Sequence, residues 1–174
     1  LPYAQKMATD RSSFVRREVA ISLRDLPYAN IKPILLELIK TYDGDDRWYL
    51  ETLGSTLEGH EAEIYPEILS LLGGGKPAAA WSRQMAHFAW RLHPVAAISD
   101  LVARATDSSL SVTDRQAALT ALGFVKDKSA VAAMVELTKA KQQDVTEQAA
   151  YWLSFRQGND WSELDNWKDI PFNT

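Results

Sequence analysis

The sequence predicts an all-α protein, an α-solenoid of about four to five helical hairpins, and three observations carry that expectation. Apolar residues recur at helical spacing in segment after segment. The segments are separated by short breaks rich in Asp, Gly and Pro, and alternating runs bounded by hairpin turns are absent. Aligning the first helix of each pair on Leu23, Leu53, Trp90, Leu122 and Ser154 gives steps of 30, 37, 32 and 32 residues, the period of a helical-repeat array. An ordinary globular helical bundle is the competing architecture.

Residues 3–9 are expected to form a short helix, followed by a polar break, Asp10-Arg11-Ser12-Ser13, that offers N-caps. A helix over 14–26 then places Val15, Val19, Leu23 and Leu26 on one stripe. Pro27 ends it, Asn30 is expected to cap the next helix, and Pro33 is placed in that helix's first turn, where a missing N–H costs little. Ile34, Leu35, Leu38 and Ile39 make its apolar stripe, up to Asp43-Gly44.

The pattern restarts with Asp46 as N-cap for 47–58, with Trp48 or Tyr49 packing and Leu50 and Leu53 in the core. Gly59 stops that helix, and 61–72 supplies its partner, with Pro66 pushing the regular part toward Ile64 or Tyr65. Gly73-Gly74-Gly75-Lys76-Pro77 is the strongest break and a candidate flexible joint. Helices over 78–92 and 95–106 form the third pair. Thr113 and Gln116 fit a capping box for a helix running to Phe124, and Asp127 caps its partner over 129–140. Asp144 with Glu147 opens a fifth first-helix through Phe155, Gly158-Asn159 ends it, and at most one or two further turns of helix are expected around 162–168. The resulting division is one domain over 1–174, with repeats at about 10–43, 44–75, 76–107 and 108–141, a half repeat at 142–158 and a tail at 159–174.

Composition excludes more chemistry than it suggests. With 46% hydrophobic residues the chain is able to bury a continuous core, and a formal charge of −4 disfavours a polyanion such as duplex DNA. Absence of cysteine removes disulfides, thiolate metal sites, a Cys nucleophile and covalent haem attachment. No apolar run reaches the roughly 18–20 residues that span a bilayer, so no membrane insertion is expected. Without an initiator Met, the chain is expected to be a processed product or a piece of a larger protein.

Motif by motif, the chemistry falls away. His60-Glu61 lacks the second His of a zinc-protease helix, because Ile64 stands there. His87 and His93 are six apart, a separation that suits packing or capping better than shared metal ligation. Gly73-Gly74-Gly75-Lys76 lacks the earlier Gly and the following Ser or Thr of a phosphate loop, having Ser70 and Pro77 in those places. Asp43, Asp45 and Asp46 lack the Glu at position twelve of an EF-hand, since Gly54 occupies it, and turn and cap duty explains them better. No catalytic, cofactor or metal residue is assigned.

Among the six Trp residues, Trp48, Trp81, Trp90 and Trp152 are expected to fill spaces between stacked hairpins. Trp161 and Trp167 lie in the tail, where they either cap an open apolar end or dock a further domain, capping being the preferred reading. A partner is expected on the concave face lined by the second helices. Its candidate residues are Glu37, Lys40, Glu67, Asp100, Arg104, Glu136 and Lys139, with a solvated helix face as their plain alternative.

The stretch from Asp10 to Leu23 reads Asp-x5-Arg-x2-Val-Ala-x2-Leu and resembles a HEAT repeat. The resemblance implies an armadillo-like superhelix in which a turn Asp and an early helix Arg link neighbouring units, although only Asp10 and Arg16 keep the full spacing and Arg47, Arg83 and Arg115 keep it approximately. Val15-Arg16-Arg17-Glu18, the stretch 42–50, Trp90-Arg91-Leu92-His93-Pro94 and Gly158-Asn159-Asp160-Trp161 are similar to the HEAT segment of bacterial extracytoplasmic proteins that join a sugar-dehydrogenase-like β-propeller to a c-type cytochrome domain. That implies a non-catalytic scaffold or spacer binding a protein or flanking domains of its own polypeptide, in an extracytoplasmic location. The competing function is a helical-repeat enzyme of the DNA glycosylase or bilin lyase kind; a glycosylase needs a cationic groove that the net charge opposes.

Overall fold

A computed structural model of the chain describes residues 1–170, and within these it is all-helical, with ten α-helices and no strand. The chain divides into two compact units, one of residues 1–75 with 81–92, the other of 76–80 with the chain from His93 onward. The tail around 162–168 is a series of turns, within the one or two helical turns allowed for it, and 171–174 lie outside the described residues.

In the first unit, α1 spans Pro2–Met7 and α2 spans Ser13–Leu23. The Ser12 hydroxyl accepts from the Val15 N–H and so fixes the start of α2, while Val19, Ala20 and Leu23 face inward. Helix α3, Tyr28–Lys40, starts earlier than the Asn30 cap predicted, directly after Pro27. Pro33 is therefore inside the helix; its ring lies on the exposed side, where water reaches the carbonyl it leaves without a partner.

Helix α4, Arg47–Thr56, is capped as expected by Asp46, whose Oδ1 accepts from the Tyr49 N–H at 3.0 Å. Helix α5, Glu61–Ile68, runs on into a single π-helical turn, Leu69–Gly73, which stops at Gly74 in the left-handed region with φ 59°. Helix α6, Arg83–Leu92, begins later than the Ala78 expected. Ala78–Ala80 form a separate 3-10 turn, and Ser82 Oγ accepts from the Met85 N–H, restarting the helix.

The second unit holds a 3-10 turn Val95–Ala97, α7 (Ile98–Thr106), α8 (Val112–Phe124), α9 (Lys128–Leu137) and α10 (Gln143–Arg156). The capping box of α8 is Ser111 with Asp114, two residues before the predicted Thr113 and Gln116. Asp127 caps α9 as expected.

Helix α2 packs on α3 and α4, and α4 and α5 pack on α6; in the second unit α8 packs on α7, α9 and α10. Leu23, Leu35, Tyr49, Leu53, Ile64 and Phe88 fill the first core, and Leu119, Leu122, Val131, Met134 and Leu153 the second. Two glycines permit the closest helix approaches. A Cβ on Gly123 would lie 2.6 Å from Trp152 Cδ2, and one on Gly54 would lie 2.4 Å from the Arg91 guanidinium.

These clashes are not equivalent. The indole of Trp152 is rigid and buried, whereas Arg91 is half-buried and free to swing outward once it gives up its bonds to Glu51 and Ser55. Gly123→Ala is expected to destabilise by up to about 2 kcal/mol, because overpacking against a rigid indole, toward the upper end of about 1–3 kcal/mol, outweighs roughly 1 kcal/mol gained in helix propensity. Gly54→Ala should stay within about 0.5 kcal/mol of wild type, with urea denaturation of both variants as the check.

Candidate functional site

Helices α3 and α5 turn their apolar stripes inward and leave a groove between their outer sides in the first unit. Leu36, Glu37 and Lys40 line it from α3, Glu67 from α5, and Ser70 and Leu71 from the π turn, around a volume of about 360 Å3. Spacings of one and four residues keep Leu36, Glu37 and Lys40 on one side of α3, while Leu35, Leu38 and Ile39 go to the core. The π turn closes i to i+5 rather than i to i+4, so Ser70 and Leu71 fall out of the register that a continued α-helix would impose.

Charge at the groove is arranged by Lys32. Its Nζ lies 2.5 Å from Glu67 Oε1 and 3.2 Å from Glu63 Oε1, and these two bonds, Glu67 first, push the ammonium up to about 12. Beside it the Tyr28 ring stacks on His60 at 3.8 Å, 5° from parallel. Burial, then Glu63, raises the Tyr28 phenol above its ordinary value. Helix α5 carries Glu61, Glu63 and Glu67 and no Lys or Arg.

Three of the seven predicted partner residues, Glu37, Lys40 and Glu67, converge on this groove. In the second unit the set disperses. Asp100 is half-buried, its carboxyl raised by desolvation, and Glu136 and Lys139 are exposed and paired with each other at 2.8 Å. Arg104 requires correction: at 6% exposure its guanidinium donates to the Ala78 carbonyl at 2.6 Å, and burial lowers its pKa. It braces the 3-10 turn and does not present a charge to a partner.

Both tail tryptophans donate to main-chain carbonyls. Trp161 is fully buried and its Nε1 donates to the Val125 carbonyl at 2.9 Å, while Trp167 Nε1 donates to the Trp161 carbonyl at 3.1 Å. Trp48 also departs from expectation: it is 73% exposed, and its neighbour Tyr49 is the one buried.

The acidic turn after α3 is occupied with its own fold. Asp43 Oδ1 accepts from the Asp45 and Asp46 N–H groups, which holds its carboxyl below the ordinary range, and Asp45 pairs with Arg83 at 2.5 Å. Among the described residues no group of three or more His, Asp or Glu is placed to hold a metal ion, and no helix is long and apolar enough to cross a membrane.

Behind that turn, the Tyr42 hydroxyl and His87 Nδ1 share a hydrogen bond of 2.9 Å. Burial, then the Arg83 charge, holds the imidazole below its usual pKa of about 6.5. A depressed folded value means that the unfolded chain binds the proton first. The associated stability is complete above about pH 6.5 and is lost as pH falls through the folded value. Wild-type Tm should therefore drop more between pH 7.5 and 5 than that of His87→Gln, measured by circular dichroism in matched buffers.

Sequence reasoning missed Leu36, Ser70 and Leu71, because a π turn has no residue signature and Leu71 reads as ordinary helix stripe. It also missed Arg156, buried with Cζ 4.5 Å from the Phe124 ring centroid and 5.3 Å from that of Trp152. Against family models and curated proteins the chain finds no match.

Proposed function

We propose that the chain is a non-catalytic interaction module, a HEAT-like α-solenoid that engages a protein segment, or a flanking domain of its own polypeptide, through the groove between α3 and α5. The observation that carries this is the convergence of Glu37, Lys40 and Glu67 with the apolar lips Leu36 and Leu71, in an open trough bordered by a π turn, an irregularity often found at functional positions.

The repeat reading is supported by successive first helices resting on one another, α2 on α4 and α4 on α6 in one unit and α8 on α10 in the other. A shared arginine device supports it further. Arg16 donates to the Asp10 and Arg11 carbonyls, six and five residues upstream, and Arg115 donates to the Leu110 carbonyl five residues upstream and to Asp144 of the next first helix. The resemblance to HEAT segments of propeller–cytochrome proteins extends the proposal to an extracytoplasmic spacer in a bacterial protein.

A random displayed peptide library selected on the intact chain tests the groove. Peptides enriched on wild type should lose at least tenfold in affinity on Leu71→Asp and Glu67→Lys and keep it on Ser99→Asp, with unchanged circular dichroism for all three variants. Peptides indifferent to positions 67 and 71 would remove the groove assignment.

A further inference from the structure

We infer that the groove between α3 and α5 accepts a short basic amphipathic segment, with an apolar side chain between Leu36 and Leu71 and a lysine or arginine against Glu37 and Glu67. This rests on the groove being a binding site and adds the chemistry of its occupant. Volume sets the first bound: about 360 Å3 holds a few side chains rather than a folded surface, so the occupant is a segment of chain inserting residues at intervals. Leu71, 41% exposed, and the half-buried Leu36 supply apolar contact on opposite walls.

Charge sets the second bound. The α5 wall bears Glu61, Glu63 and Glu67 with no cation of its own. The His60 imidazole lies 3.7 Å from Glu63, and among the described residues Lys32 is the lysine or arginine that reaches that wall, shared between Glu63 and Glu67. The trio keeps one net negative charge. Across the groove, among the described residues, Glu37 has no cation within ion-pairing distance, and it lines the trough together with Lys40. Counting the lining residues Glu37, Lys40 and Glu67 with the adjoining Lys32 and Glu63, the site carries a net charge of −1. An acidic segment would meet Glu37 and a Lys32 already shared by two carboxylates, whereas a basic one neutralises Glu37 and shares Glu67 with Lys32.

The test uses the full chain and two fluorescein-labelled peptides of equal length, with leucines at alternating spacings of three and four residues and either lysine or glutamate between them. Fluorescence anisotropy at low and physiological salt should show the lysine peptide binding at least tenfold tighter. That preference should fall at least threefold in the double variant Glu37→Gln with Glu67→Gln, and Leu71→Ser should weaken the lysine peptide at least threefold. A preference that persists in the double variant would reflect the overall charge of the protein and overturn the inference, as would equal or tighter binding of the glutamate peptide. If neither peptide binds while library-selected peptides still depend on Leu71, the basic partner is wrong and the groove stands. If no peptide of any kind depends on Leu71, both fail together.

Discussion

Trp161→Ala is expected to lower the unfolding free energy by about 3–5 kcal/mol, within the range for emptying a large aromatic site. The side chain is fully buried, so its removal opens a cavity instead of exposing surface to water. Two consequences add to the lost packing. The Val125 carbonyl, just past the end of α8, loses the indole N–H at 2.9 Å and keeps only the Asp127 N–H at 3.1 Å, and the turn whose main-chain carbonyl receives the Trp167 N–H loses the side chain that anchors it. Trp161→Phe separates the contributions: it restores most of the volume but not the donor, and should recover about half of the loss. Urea denaturation supplies the free energies, and faster amide exchange over 112–125 would locate the effect. A cost below about 1 kcal/mol for Trp161→Ala would mean that the tail is only loosely attached to the second unit.

That the tail carries apolar side chains to bury was legible from two tryptophans beyond the last long helix, but which tryptophans are buried was not. Trp48 and Tyr49 are consecutive, so they point about 100° apart around α4, and only the position of neighbouring helices decides that Tyr49 goes inward. Caps were legible where one residue type stood alone before a helix, as with Asp46 and Asp127. They were ambiguous in the stretch Ser111-Val112-Thr113-Asp114, which offers two similar boxes; Ser111 prevails because its hydroxyl both accepts from the Asp114 N–H and donates to the Asp114 carboxylate. The same ambiguity of face explains the candidate site. Polar positions on α3 and α5 were correctly taken as outward, while Arg104, polar and at comparable spacing on α7, turns inward to a carbonyl that the helix pattern gave no reason to expect.

Arg16→Met should cost about 2–4 kcal/mol, the second large effect expected in this protein. Replacing both members of a buried ion pair by apolar side chains is often neutral, because both desolvation costs vanish together, whereas removing one member strands the other. Here the partners are main-chain carbonyls that no substitution at position 16 removes. Arg16 Nη1 donates to Asp10 at 2.7 Å and Arg11 at 3.2 Å, and Nη2 donates to Thr41 at 3.0 Å, tying the loop before α2 to the end of α3. The guanidinium also lies 5.5 Å from the centroid of Tyr49, which itself donates to the Leu38 carbonyl. Arg16→Lys should recover less than half of the loss, since a single ammonium does not span both carbonyl groups as the planar fork does. If methionine costs under about 1 kcal/mol, water hydrates the freed carbonyls and the brace is dispensable. The brace also reaches the groove. Thr41 follows Lys40 directly, so loosening its carbonyl lets the last turn of α3 shift, and Arg16→Met should weaken groove-dependent peptides severalfold at a temperature where the variant is still folded. Loss of stability with peptide affinity intact would show instead that Glu37 and Lys40 are positioned by α3 alone.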